Sequence, residues 1–239
     1  MDRYYSIAGL IVKMDSFGRT IKQALPYQIE DCDRVDIHVQ SLWYKIKEQY
    51  PFLSDDDGEY LATGACFYKN LLDYNGMMLH ASAVVIDGKA YLFSADSGVG
   101  KSTHAELWLS VFGERVYILN DDKPALRLID NKWYAFGTPW SGKFDISVNT
   151  GVELGGIAMI ERGITNEITV HDKREAVIQI YKQINRPKST QNRLKLLELL
   201  DQLIEQVPIW KLKCNTDVEA ATLAYNTMRK GKEQNEKEF

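Results

Sequence analysis

The chain has 239 residues, 45% of them hydrophobic and 26% charged, with a formal net charge of −4. That length suits one large domain, or one domain with a smaller N-terminal appendage, and the acidic balance offers no field for nucleic acid. No apolar run approaches a membrane span, the first residues lack a signal-peptide pattern, and Cys32, Cys66 and Cys214 give neither a disulfide framework nor metal-ligand spacing.

Along the chain, residues 5–13 cluster apolar residues in strand fashion. Val35–Val39 alternates strictly, which predicts a half-buried strand with His38 on the wet face. Pro51 and the acidic run Asp55-Asp56-Asp57-Gly58 read as a loop, followed by a short helix over 60–73 and a turn at Tyr74-Asn75-Gly76. A soft boundary falls at 58–76, giving a small N-terminal α+β region over 1–76 and a main domain over 77–229. The apolar run Met78–Ile86 reads as one strand. Asp87-Gly88 then predicts a two-residue hairpin into a second strand over 89–94. After residue 100, Ala105, Trp108, Leu109 and Phe112 recur at helical spacing. Gly113 ends that helix, and Val116–Leu119 reads as a buried strand. Strands are predicted at 124–129, 133–137, 155–160, 166–170 and 208–212, and helices at 172–183, 189–205 and 216–229. The leucine-rich helix over 189–205 suits a core or a homo-oligomer contact. Residues 230–239 read as a frayed polar tail.

Two segments carry chemistry. The first is Ala95-Asp96-Ser97-Gly98-Val99-Gly100-Lys101-Ser102-Thr103, lying between a predicted strand and a predicted helix. Glycines let a tight turn aim successive N–H groups at phosphate oxygens, a lysine adds a mobile charge over the outer phosphates, and the serine hydroxyl suits Mg²⁺. The following helix adds the positive end of its dipole. The stretch therefore reads as a P-loop for a nucleotide, with Ala95 where the pattern ordinarily begins with glycine. The second segment is Asp121-Asp122, at the end of a predicted buried strand. Alternation along an extended segment would point these side chains opposite ways and give them different tasks. An incidental solvated acidic turn is the plainer alternative.

Other residues read less sharply. His80, alone in an apolar strand, reads on its own as a hydrogen-bonded structural residue. His104 reads as surface or packing, and Arg162, Lys173 and Arg174 as solvated surface. Gly137-Thr138-Pro139-Trp140-Ser141-Gly142-Lys143 forms a loop by ordinary turn chemistry, from which Lys143 could reach a phosphate or substrate.

His80, the hairpin, Asp96-Ser97-Gly98-Val99-Gly100-Lys101-Ser102 and Asp121-Asp122, in that order, resemble the catalytic domain of the HPr kinase/phosphorylase family over about residues 77–160. The chain also resembles HPr-kinase-like proteins found beside peptide-modification genes, through the 137–143 segment. It differs from HPr kinases at Thr103, where they place an acidic residue, and its first 76 residues lie outside the resemblance. The resemblance implies an α/β fold with a mixed β-sheet core, a P-loop and flanking helices, as in phosphoenolpyruvate carboxykinases. It implies Asp121 as the carboxylate that takes a proton from an acceptor hydroxyl, and His80 beside the transferred phosphate. It further implies Lys101 on the phosphates, Ser102 on Mg²⁺, and Asp122 on the metal or its water shell.

The functional expectation is a cytoplasmic, Mg²⁺-dependent kinase using ATP, with a serine-type hydroxyl acceptor in a small protein, a peptide precursor or free serine. No nucleic-acid or membrane partner is expected. The rivals are a non-catalytic ATP-binding sensor or assembly protein and a carboxykinase-type enzyme, the last lacking a convincing set of further ligands.

Overall fold

The computed structural model describes residues 3–30, 32–142 and 144–231. A four-stranded sheet opens the chain, in the order β3-β1-β2-β4. It comprises β1 (Arg3–Ile7), β2 (Leu10–Met14), β3 (Gln28–Ile29) and β4 (Ile37–Val39), with α1 (Gly18–Ala24) between β2 and β3. The predicted apolar cluster over 5–13 is thus a hairpin, turned at Ala8-Gly9 with positive φ at both residues. In β4, His38 faces outward between buried Ile37 and Val39, as alternation requires.

Two helices follow, α2 (Trp43–Gln49) and α3 (Asp55–Leu71). The acidic run expected as a loop is the first turn of α3. Ser54 caps it by accepting the Asp57 amide at 3.1 Å, and Asp55, Asp56 and Asp57 sit at the positive end of the helix dipole.

The main sheet contains β5 (Gly76–Met78), β6 (Ala81–Ile86), β7 (Lys89–Ser94), β8 (Val116–Asn120), β9 (Ala125–Ile129), β10 (Lys132–Phe136), β11 (Gly151–Arg162), β12 (Glu167–Val170) and β13 (Ile209–Cys214). The path runs β5-β9-β10-β11-β7-β6-β8, and β13 pairs with both β11 and β12. The sheet is mixed and branches at β11. The start of that strand pairs antiparallel with β10, and its later part pairs in parallel with β13. The predicted strand Met78–Ile86 divides in two, because β5 pairs with β9 whereas β6 pairs with β7 and β8. Leu79 and His80 occupy the break.

Helices cover both faces of β6 and β7. Ala83, Val85, Ala90 and Leu92 face α5 (Lys173–Lys182) and α6 (Thr190–Gln206), where Leu196, Leu199, Leu200 and Leu203 are buried. Val84, Tyr91 and Phe93 face α4 (Lys101–Phe112) and α7 (Val218–Met228), with Trp108 at the centre. These strands read as continuous apolar runs because neither face meets water. A third core joins the four-stranded sheet and α3 to Ala125 and Trp140. The Trp140 ring stacks on Phe67 at 4.8 Å, and its Nε1 donates to Thr63 Oγ1 at 3.1 Å. No helix among the described residues is long and apolar enough to cross a membrane. Of the predicted tail, residues 232–239 lie outside the described residues.

Candidate active site

Strand direction assembles the site. β7 and β8 are each antiparallel to β6, which lies between them, so β7 and β8 run the same way. The 95–100 loop leaves the end of β7, Asp121 and Asp122 follow the end of β8, and His80 precedes the start of β6. All three therefore reach one edge of the sheet. They line a cavity of about 560 Å³ with Ser97, Gly98, Gly100, Lys101, Ser102, Thr103, Glu106, Gly142 and Phe144.

The loop owes its shape to two glycines. Gly98 has φ +79° and Gly100 φ +134°, and at Gly100 an L side chain would be strained even though the space beside it is open. Lys101 opens α4 and is 8% exposed. Its Nζ donates to Ala95 O at 3.0 Å and Asp96 O at 3.4 Å. Burial pushes its pKa down, while Asp122 and Asp96 act to raise it. Arg162, expected as solvated surface, braces the loop from outside by donating to the carbonyls of Val99, at 3.1 Å, and Gly98. Ala95, Asp96 and Val99 do not line the cavity that holds the acids. They border a neighbouring one of about 410 Å³ with Gln179, Lys182 and Gln183. Lys143 lies outside the described residues.

Contrary to simple alternation, both acids reach the same cavity. Asn120 explains this. Its Oδ1 accepts the amides of Asp122 at 3.0 Å and Lys123 at 2.7 Å, bending the chain into a side-chain-closed turn just past β8. Asp121 Oδ1 accepts the Gly142 amide at 2.5 Å. Gly142 must be small, because a Cβ there would lie 2.9 Å from Asp121 Oδ2. Asp122 Oδ1 meets His80 Nε2 at 3.2 Å, and its Oδ2 accepts from Lys123 Nζ.

These surroundings separate the two carboxyls. Burial raises the pKa of Asp121, with the Asp122 charge adding to it against the Gly142 N–H. Burial also acts to raise Asp122, but contacts with His80 and Lys123 outweigh it and hold that group at about 2. One acid is thus held ionised while its neighbour has the greater proton affinity.

Sequence reasoning missed Gln183, Lys123 and the role of Gly142. Gln183 follows α5, and its Nε2 donates to Asp96 Oδ1 at 2.6 Å while its Oε1 meets His80 Nδ1 at 3.0 Å. No local signal marks it, since its partners lie 87 and 103 residues away. Asn120 could have been found from turn chemistry alone.

Ser102 and the two acids offer hard oxygen donors. Among the described residues, no group of three or more His, Cys, Asp or Glu could hold a metal ion. Mg²⁺ is ordinarily held by one or two carboxylates together with phosphates and water, so this donor set fits a Mg²⁺ that arrives with a nucleotide.

No family model matches the chain, and no curated protein matches it. Among solved structures it is similar to the HPr(Ser) kinase/phosphatase from Coxiella burnetii. That match has 13% sequence identity and a TM-score of 0.38, and covers 64% of this chain and 97% of the other. A likeness this remote transfers neither activity nor residue roles, so the functional reading rests on the site itself.

Proposed function

We propose that the chain is a Mg²⁺-dependent kinase that transfers the terminal phosphoryl group of ATP to a serine-type hydroxyl in a small protein, a peptide precursor or free serine. The observation that carries this reading is the convergence of Ser97, Gly98 and residues 100–103 of the glycine loop, Lys101 among them, with His80, Asp121 and Asp122 on one cavity.

Loop amides and the start of α4 bind and orient the donor phosphates, and Lys101 adds its charge to them. Ser102 and Asp122 would hold Mg²⁺, which when bound neutralises charge on the donor phosphates. Asp121 takes the proton from the acceptor hydroxyl as the new O–P bond forms and the bond to the ADP oxygen breaks. His80, anchored by Gln183 and Asp122, stands beside the transferred group. Most of the rate gain comes from positioning and charge stabilisation, since phosphoryl transfer asks little covalent work of the protein.

The test is incubation with labelled ATP and Mg²⁺ against free serine, the small phosphocarrier HPr and hydroxyl-bearing peptides, beside Lys101→Ala and Asp121→Asn. The expected result is label on one acceptor, lost in Lys101→Ala. In Asp121→Asn transfer should fall about 10²–10⁴-fold with ATP affinity retained. Full transfer by Asp121→Asn would remove that residue as the base. Tight ATP binding with no transfer to any acceptor would overturn the kinase reading in favour of a nucleotide sensor.

A further inference from the structure

The peptide unit between Ser141 and Gly142 is held at both ends. Its N–H donates to Asp121 Oδ1 at 2.5 Å. Its carbonyl oxygen accepts from the Tyr60 hydroxyl at 2.5 Å and from Arg19 Nη2 at 3.3 Å, and Arg19 Nη2 also reaches Gly142 O at 2.9 Å. The carbonyl end is thus gripped by α1 and α3, neither of which contributes a residue to the cavity lining.

The grip is itself built from several contacts. The Arg19 guanidinium lies 4.4 Å from the centre of the Tyr60 ring. Thr20 donates to Glu59, tying α1 to α3 one residue from each of the two donors. Gln23, on the same helix as Arg19, donates to Ser141 Oγ at 3.2 Å. Beside them, Trp140 is locked against α3 by its ring stacking and its bond to Thr63.

A peptide plane next to glycine rotates more readily than others, because no Cβ resists the change of backbone angles. Rotation here would replace the N–H facing Asp121 with a carbonyl oxygen, setting two acceptors against each other. We propose that Arg19 and Tyr60 are positioning residues for Asp121, fixing the Ser141–Gly142 plane so that its N–H holds the carboxylate in place. Donors on the carbonyl also polarise the peptide and strengthen that N–H as a donor. α1 and α3 thereby become part of the catalytic apparatus through this peptide, beside the contact in which the Tyr60 hydroxyl accepts at 3.3 Å from Lys123 Nζ, the partner of Asp122. The inference rests on the reading of Asp121 as the group that takes the acceptor's proton.

The test uses the full chain with Tyr60→Phe, which keeps the ring, Arg19→Met, which keeps the length, and Arg19→Lys as the conservative rescue. Each of the first two should lower kcat about tenfold to a hundredfold. KM for ATP and its calorimetric Kd should stay within about twofold, and Arg19→Lys should recover part of the loss. On an Asp121→Asn background, Arg19→Met should cause no further loss, because the group it positions is gone. Equal losses on both backgrounds, or a loss of ATP affinity, would overturn the inference and leave Arg19 a structural residue. If Asp121→Asn itself retains full kcat, the reading of Asp121 fails instead. An activity-independent readout is the Gly142 amide proton resonance, expected far downfield and moving upfield in Tyr60→Phe and Arg19→Met. A resonance unmoved in both folded variants would also overturn the inference.

Discussion

Glu59 on α3 is fully buried; its Oε2 accepts from the Thr20 hydroxyl, and the Phe17 backbone also hydrogen-bonds to its carboxyl. Burial raises its pKa from the ordinary 4.5 to about 7. Between those values the folded chain keeps a proton that the unfolded chain has released, so stability falls as pH rises through that window. At about 1.4 kcal/mol for each tenfold change in proton affinity, this amounts to about 3 kcal/mol over the whole window, most of it between pH 5 and pH 8. Glu59→Gln keeps the shape and an acceptor for Thr20 but cannot titrate there. Urea unfolding of both chains at several pH values reads the effect as a difference between two curves, from which every other titrating group cancels. Relative to wild type, Glu59→Gln should gain about 2–3 kcal/mol between pH 5 and pH 8. Parallel curves would refute the argument, since they would mean that Glu59 titrates alike in the folded and unfolded chains.

Two further outcomes follow from the geometry. His104 is buried, and burial lowers its pKa from 6.5 to about 4. Its ring stays neutral while the unfolded chain takes up a proton, so it contributes stability that is lost as pH falls from 6.5 to 4. His104→Gln, which keeps an acceptor for Trp108 Nε1, should flatten that acid limb by about 3 kcal/mol in the same unfolding assay. Gly142→Ala would set a methyl group 2.9 Å from Asp121 Oδ2 and 3.2 Å from the Asp122 Cβ. It should cost about 1–3 kcal/mol of stability by thermal unfolding, and single-turnover transfer should drop about a hundredfold.

What the sequence disclosed was whatever neighbouring residues decide among themselves. Asp87-Gly88 turns a hairpin because both residues accept positive φ, and Lys101 opens a helix because the loop before it ends in glycine. The same local logic holds at Ser54. An acidic run looks like a solvated loop until the serine before it is read as a cap, after which three aspartates are what a helix start favours. The division of Met78–Ile86 was not available locally. Every residue there is compatible with a strand, and the break at Leu79-His80 arises because the chain changes partners, from β9 to β7 and β8. The shared direction of Asp121 and Asp122 had a local cause in Asn120, which alternation ignores because it assumes that the strand continues.

The meeting of these pieces needed strand order, which no local pattern supplies. In chain order β6, β7, α4 and β8 are consecutive, yet β8 joins the sheet on the far side of β6 rather than beside β7. Had β8 paired with β7 directly, His80 could not stand between the glycine loop and the acids. Inserting the antiparallel β6 between two strands of like direction brings the residue just before its start to the edge where they end. That makes a histidine which reads as structural in sequence a neighbour of Asp122 at 3.2 Å. The same reasoning extends to α1 and α3. The loop after β10 must pass Asp121 before entering β11, and the only side-chain donors on the Ser141 carbonyl among the described residues come from α1 and α3. Local chemistry supplied each group. The order of strands, and one peptide clamped from outside the sheet, decide which of those groups can act together.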